Sequence, residues 1–235
     1  MFLFLKMLLA HLAADFVLQF EELYQLKLRS FLGQLLHVLI HGILAALLIL
    51  PYLNEPIVIS FIIFMVVEHL LQDLAKYYFT QKIPTQRFIL FIADQFFHVA
   101  ILLLIFLLPI SAQIKSYPGP ALFNYIYRDS AVTLFFIYFI TLIFVGNYTF
   151  NSFYRTYVKP NQPLYWITAP ELTWAIIERG TIAVAVLYAT NPLWILASLA
   201  IGIFRFSFSP LRNLIDFTLS ATYTIALSYL LKFLL

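Results

Sequence analysis

Histidine and aspartate recur at one fixed spacing in this chain. All five histidines have another histidine or an aspartate four residues away. A step of four residues returns to the same face of a helix, so each pair can present two polar groups to one neighbour. Only ten of the 235 residues are His or Asp, so the regularity is far from chance. The pairs are His11/Asp15, His37/His41, His69/Asp73 and Asp94/His98.

These side chains predict a buried site for a divalent metal ion. Helical bundles build metal centres from carboxylates and imidazoles that project inward from facing helices. The chain has no cysteine, so nitrogen and oxygen must hold any ion. Imidazole favours zinc, and the added carboxylates make manganese or iron the alternatives. The candidate ligands would suffice for two ions, or for one ion with outer partners: His11, Asp15, His37, His41, His69, Asp73, Asp94 and His98. A metal-free polar or proton-relay network is the competing interpretation.

Four of the polar residues are candidates for catalysis. Asp15, Asp73 and Asp94 could serve as ligands or as the general base, and Lys76 could bind a phosphate or simply neutralise Asp73. No Ser–His–Asp pattern and no glycine-rich phosphate loop is visible, so the expected nucleophile is water. Candidate outer donors, for which helix packing is an equal alternative, are Gln19, Gln72 and Gln95.

The composition is that of a membrane protein. Apolar residues make up 63% of the chain and charged residues 11%, whereas soluble domains carry about 25% charged residues. The basic residues form no patch, so nucleic acid is not an expected partner, and membrane lipid is. The amino-terminal segment lacks a small-residue cleavage site, so we expect a retained first helix rather than a signal peptide.

Prolines at the ends of the apolar runs divide the chain into predicted helices. We expect an all-α transmembrane bundle of about eight spans in two four-helix halves, residues 1–109 and 131–235, joined by a periplasmic connection over residues 110–130. The predicted spans are 2–20, 31–50, 57–79, 88–108, 131–153, 171–189, 193–208 and 213–234.

Lysine and arginine predict the orientation. The positive-inside rule places the 21–30 connection in the cytoplasm and both termini outside. One set of connections holds Lys27, Arg29, Lys82, Arg87, Arg155, Lys159, Arg205 and Arg212, with Lys76 near a helix end on the same side; the opposite side has only Lys115, Arg128 and Lys232.

The orientation sorts the paired residues by depth. Asp15, His37, Asp73 and Asp94 each lie roughly 9 Å in from the cytoplasmic end of their helix, at a rise of about 1.5 Å per residue. His11, His41, His69 and His98 lie one turn deeper, at roughly 15 Å. The order of His and Asp reverses in the fourth helix, as it must for an antiparallel neighbour. The sequence therefore predicts a histidine layer beside a mainly acidic layer.

The second half holds a different polar set. Glu178 and Arg179 lie deep in the sixth span, and Arg205 and Asp216 flank the last turn. Adjacent residues point about 100° apart on a helix, so Glu178 and Arg179 are expected to pair with other helices. Salt-bridged packing is the favoured role and a substrate contact the alternative.

Four strings in the first half resemble a family of bacterial inner-membrane proteins, domain of unknown function 3307. They are HLAADFVLQ from His11, HVLIH from His37, HLLQDLAK from His69 and DQFFH from Asp94. The resemblance covers about the first 110 residues and implies a multi-pass protein of the bacterial inner membrane. The second half resembles the family's carboxy-terminal extension. Glu178 and Arg179 match its Leu-Glu-Arg signature, with Ile177 in place of the leucine, and Arg205 matches a later arginine. The glycines that precede the signature and the lysine that precedes the later arginine in the extension are absent here.

Three functions remain open at this stage. A metal-dependent hydrolase would act on a lipid or phosphate ester, or on another small molecule, from the cytoplasmic side. A transporter would pass divalent cations or protons, although the first four spans lack the proline breaks and repeats that transporters often show. In a structural or regulatory membrane protein, the metal would only hold the bundle together. Protein partners are not predicted.

Overall fold

The computed structural model describes residues 1–158, 169–188, 191–202 and 210–234, and the regular structure within them is helical. The first part contains α1 (Phe2–Leu12), α2 (Glu21–Arg29), α3 (Phe31–Leu48), α4 (Pro56–Lys82), α5 (Arg87–Leu103), α6 (Ala121–Arg128), α7 (Ser130–Ile140) and α8 (Gly146–Tyr157). The remainder contains α9 (Ala169–Tyr188), α10 (Leu193–Leu199) and α11 (Pro210–Leu234). The expected all-α bundle is confirmed.

Five helical stretches in the described residues are long and apolar enough to cross a membrane. They are Phe31–Leu48, Pro56–Lys82, Pro84–Leu107, Ser130–Tyr157 and Asp216–Leu234. The stretch Phe2–Val17 passes the same test only together with α2, from which it is bent by 88°. These helices make the chain a membrane protein. The count of eight spans stays a prediction, because α9 carries three charged residues, α10 is short, and residues 203–208 of the seventh span lie outside the described part.

The first span is shorter and less regular than predicted. The α-helix ends at Leu12 and continues as a single π-helical turn, Ala13–Val17, after which the chain turns into α2. A first helix over residues 2–20 was expected. Single π-turns occur mostly at functional sites, and this one carries Asp15. The turn changes the direction in which Asp15 points relative to His11.

Helix α4 illustrates how the bundle is built. Its buried face holds Met65, His69 and Asp73, at successive steps of four residues. Its outer face exposes a second series at the same spacing, Ile63, Val67 and Leu71. A helix of a soluble protein has the reverse arrangement, with apolar residues inside and polar residues outside. Here lipid accepts the aliphatic side chains, and the interior must satisfy the polar ones.

The described residues form two compact units, Met1–Ile140 and Thr141–Leu235. The predicted boundaries at residues 109 and 131 stay a prediction. In the first unit, α3 packs against α4, α4 packs against α5, and α1 packs against α3, α5 and α7. The buried Lys6 ties α1 to α7, because its Nζ donates to Thr133 Oγ1 at 2.7 Å and lies 4.4 Å from the centre of the Tyr127 ring.

The connection after α5 is fixed to the turn between α3 and α4. The buried Tyr52 hydroxyl donates to the Gln113 carbonyl oxygen at 2.8 Å and accepts from the Lys115 amide at 2.9 Å. Lys115 also pairs with Glu55, with 2.7 Å between Nζ and Oε1. Farther along, Gly119 has a φ of +142° between two prolines, which favours glycine at this position.

In the second unit, Arg179 is held by groups from other helices. A second π-turn, Thr141–Val145, offers backbone carbonyls, and Arg179 Nη1 donates to those of Leu142 and Ile143 at 2.8 and 2.9 Å. Arg179 Nε donates to the Ser220 hydroxyl, which donates to Glu178 Oε1 at 2.6 Å. Arg179 and Glu178 are both buried. They therefore pair with groups of other helices, as expected, and their role in salt-bridged packing stays a prediction.

The corner between α2 and α3 depends on a glycine. Ser30 caps α3 by accepting from the Gly33 amide at 3.0 Å, and a Cβ at Gly33 would collide with the Leu26 backbone carbonyl. We expect Gly33→Ala to lower the free energy of unfolding by about 1–3 kcal/mol, because the backbone must shift. Circular dichroism during unfolding in detergent measures this loss.

Gly180→Ala is the matched control for that substitution. A Cβ at Gly180 meets nothing within 4 Å, so alanine there should raise the stability of α9 by about 0.5–1 kcal/mol. Equal stability of the wild type and Gly33→Ala would contradict the close approach at the corner.

Candidate metal centre

Asp15 lies among four histidines at the centre of the first unit. Its Oδ1 is 3.1 Å from His37 Nε2, 3.2 Å from His41 Nε2 and 3.8 Å from His69 Nε2. Its Oδ2 lies 3.5 Å from His11 Nε2. All five side chains are buried, at 8% exposure or less. The π-turn at Asp15, α1, α3 and α4 thus bring one carboxylate and four imidazoles to one point.

Three of the distances between these atoms are close to those around a tetrahedral ion. Bonds of about 2.0–2.1 Å from zinc to its ligands place neighbouring ligand atoms about 3.3 Å apart. The Nε2 atoms of His37 and His69 are 3.4 Å apart, and both His37 and His41 lie 3.1–3.2 Å from Asp15 Oδ1. The four potential ligand atoms all lie within 4.8 Å of one another. One carboxylate oxygen and three imidazole nitrogens therefore form a donor set suited to Zn²⁺, Mn²⁺ or Fe²⁺.

A second group shares His69 with the first. Ligand atoms of His69, Asp73 and His98 also lie within 4.8 Å of one another. The rings of His69 and His98 are stacked, with centroids 4.0 Å apart and planes 9° apart. A neutral imidazole has one lone pair on Nε2, so His69 can give this atom to only one ion. The two groups are therefore alternative positions for an ion that uses His69.

Among the described residues, three buried imidazoles keep a nitrogen without a hydrogen-bond partner, and in His37 that atom is Nδ1. In the described part of the chain, His11 Nε2 and His98 Nε2 have no hydrogen-bond partner. They lie 3.5 Å from Asp15 Oδ2 and 3.3 Å from Asp94 Oδ1, but without hydrogen-bond geometry. An unpaired buried polar atom is costly, so each nitrogen is suited to an ion, a ligand or a proton.

Two lysines neutralise the remaining carboxylates. Lys27 Nζ lies 2.7 Å from Asp73 Oδ2, and Lys76 Nζ lies 2.6 Å from Asp94 Oδ2. Gln95 Nε2 donates to Asp15 Oδ2 at 3.3 Å and to Asp94 Oδ2 at 3.1 Å. Three carboxylates and two ammonium groups leave a single negative charge when the imidazoles are neutral. A divalent cation would more than compensate for this charge.

On the other side of the histidines, the interior is apolar. One turn beyond each of the four histidines lies a buried apolar residue, and these residues belong to one hydrophobic cluster. We call them the apolar layer: Met7, Ala45, Met65 and Leu102. The cluster continues toward the Tyr52 end through Leu3, Ile49, Val58 and Ile105. The polar centre is therefore closed on one side by packed side chains.

The structure brings together all eight residues that the sequence singled out, while their role as ligands stays a prediction. The four deeper histidines contact one another: the His11 ring centroid lies 5.3 Å from that of His41 and 5.1 Å from that of His98. Lys76 is also at the site, but its carboxylate partner is Asp94, whereas neutralisation of Asp73 had been one of two alternatives for it. Of the three candidate outer donors, Gln95 donates to two of the site's carboxylates, and Gln19 accepts from Lys27 at 3.4 Å.

Sequence reasoning missed Lys27 as a residue of the site. Lys27 was used only to assign orientation, yet its side chain is buried and reaches Asp73. Its carbonyl accepts from the buried Gln34 Nε2 at 3.1 Å, which fixes α2 to α3. The sequence signal that could have identified Lys27 is its spacing of four residues from Leu23, because the two share the buried face of a short polar helix. From the second-half set, Arg205 lies outside the described residues.

We expect Asp15→Asn to abolish stoichiometric metal binding. Asp15 is the one carboxylate in the four-ligand group, and loss of even an outer partner of a metal ligand costs roughly 10–100-fold in affinity. Elemental analysis of detergent-purified protein measures the ion content. Asp129→Asn, a change of the same chemistry in the connection before α7, should keep it. Equal ion content in wild type and Asp15→Asn would contradict this centre.

A family model matches half of the chain and covers the whole site. The model, described as a protein of unknown function (DUF3307), matches residues 3–120, which include all eight candidate ligands, Lys27 and Lys76. No curated protein and no solved structure matches the chain significantly. The match agrees with the resemblance of the four strings that carry the paired residues. The chain belongs to the DUF3307 family.

Proposed function

We propose that the protein is a membrane-embedded, metal-dependent hydrolase of the bacterial inner membrane. The observation that carries this proposal is the buried group of Asp15, His37, His41 and His69, in which three of the distances between ligand atoms are close to those around a tetrahedral ion. Its donors suit zinc, with manganese or iron as alternatives. Such an ion polarises a scissile bond and lowers the pKa of a water molecule toward about 7.

The residues around this group supply the other parts of a hydrolytic site. His11 and His98 each present a buried Nε2 with no hydrogen bond, so either can accept a proton from water. Gln95 holds the carboxylates of Asp15 and Asp94 in place. Lys76 has a side chain that is 32% exposed, the largest exposure among the charged groups at the site, so it can meet a substrate.

The apolar layer supports a hydrolase over a transporter. A conduction path has to continue as a pore on both sides of the binding site. Here Met7, Ala45, Met65 and Leu102 pack directly behind the histidines, and their exposure is 6% or less. The lysines and the glutamine lie on the acidic side. A site approached from one side suits chemistry on a substrate that enters and leaves the same way.

The test uses detergent-purified protein loaded with one ion per chain. We expect metal-dependent hydrolysis of a chromogenic ester from a panel of phosphodiesters, phosphomonoesters and carboxylic esters. Chelation and Asp15→Asn should both reduce the rate to background, because each removes the ion, while Asp129→Asn should leave it unchanged. Release of the chromophore, followed by absorbance, measures the rate.

Two other results would contradict hydrolysis. Zinc flux into sealed vesicles that is lost in Asp15→Asn, without ester cleavage, would assign the centre to transport. A stoichiometric ion that supports neither hydrolysis nor flux, but whose loss lowers the unfolding temperature, would make the centre structural.

A further inference from the structure

We propose that Lys27 and Lys76 form an anion-binding pair that takes the monoanionic phosphodiester group of a substrate beside the metal ion. The two lysines come from different helices, α2 and α4, and both contact carboxylates of the centre. This inference rests on the proposed hydrolase and names its class of substrate.

Both ammonium groups have hydrogens to spare. Each lysine carries three N–H donors. Lys27 Nζ contacts Asp73 Oδ2 at 2.7 Å and Gln19 Oε1 at 3.4 Å, and Lys76 Nζ donates to Asp94 Oδ2 at 2.6 Å. A ligand oxygen could therefore bind either ammonium group without displacing these partners.

The charge of the centre selects a monoanion. Asp15, Asp73 and Asp94 with Lys27 and Lys76 leave one net negative charge, so one divalent ion changes the total to one positive charge. An uncompensated charge in an apolar bundle is costly, and while the water on the ion is neutral, a ligand with a single negative charge removes it. A phosphodiester carries one negative charge near neutral pH, whereas a phosphomonoester carries about −1.5 to −2.

The position of Lys27 favours a ligand with apolar parts. Helix α2 is bent 88° from the first span and turns its buried face, Leu23 and Lys27, toward the bundle. Leu26 and Leu28 lie on either side of this face and are each 38% exposed, and Phe20 before the helix is 56% exposed. A short helix at a steep angle to a membrane span, with exposed leucines, is suited to the interface, where phosphodiester headgroups lie. The shared chemistry is the phosphodiester, whether it comes from a phospholipid or from a soluble diester.

Binding of two diester probes to zinc-loaded protein tests the pair. The probes are bis-p-nitrophenyl phosphate and short-chain phosphatidylglycerol, with the matching diacylglycerol as an uncharged control, and titration calorimetry reports affinity. We expect Lys27→Gln and Lys76→Gln each to weaken diester binding roughly tenfold or more, the scale of a charge-assisted hydrogen bond, with zinc content unchanged. Lys82→Gln, an exposed lysine of the same helix as Lys76, should leave affinity unchanged.

The results distinguish the two possible sources of the diester and show which outcomes would overturn the proposal. Tighter lysine-dependent binding of the lipid than of the soluble diester identifies a headgroup, and equal binding identifies a free diester. Diester affinity that is the same in wild type and Lys76→Gln, or the same with and without zinc, overturns the proposal. If Lys27→Gln does not fold, Lys76→Gln still tests the anion-binding pair. The charge-preserving Lys27→Arg, which should retain diester binding, then tests the position of Lys27.

Failure of hydrolysis gives a different result from failure of this inference. Lysine-dependent diester binding without turnover would contradict the hydrolase and keep the anion pair. Cleavage of carboxylic esters with no lysine-dependent diester binding would keep the hydrolase and reject the pair.

Discussion

The structure of the first unit depends on the cost of placing ionisable groups inside an apolar bundle. Unpaired carboxylates and imidazoles are expensive in such an interior, so they must meet one another or an ion. Asp15 is the clearest case, because its two oxygens lie within 3.8 Å of the Nε2 atoms of four histidines. The antiparallel contacts of α3 with α4 and of α4 with α5 bring the partners together. Packing and polar pairing therefore support the same arrangement.

Much of this centre could be predicted from the sequence because helix geometry is simple. A step of four residues keeps His69 and Asp73 on one face, and the reversed order of Asp94 and His98 matches the reversed direction of their helix. Apolar runs identify the helices, and lipid exposure explains why Ile63 and Val67 occupy the opposite face of α4. These features depend on local periodicity, which a sequence displays directly.

Features that depend on tertiary contacts could not be predicted from the sequence. The π-turns at Ala13–Val17 and Thr141–Val145 leave no mark in hydrophobic periodicity, so the first span was expected to run as one helix to residue 20. The 88° turn into α2 then carries Lys27 to Asp73, a pairing between residues far apart in the chain. Lys76 could be placed at the site, yet its choice of Asp94 over Asp73 depends on how α4 and α5 pack. Which of two nearby carboxylates a lysine pairs with is decided only when the helices pack together.

The single lone pair on His69 Nε2 limits how the centre can be filled. The group with Asp15 and the group with Asp73 and His98 both include this imidazole, whose ring is stacked on His98 and tilted 41° to His41. A cation in one group therefore lowers the affinity of the other group for a second cation, which is negative cooperativity between the two groups. Because His69 belongs to both groups, a cation could pass from one group to the other by rotation of side chains about their χ angles, while the helices stay in place. Loading of the bundle with a first equivalent of metal would then weaken the binding of a second.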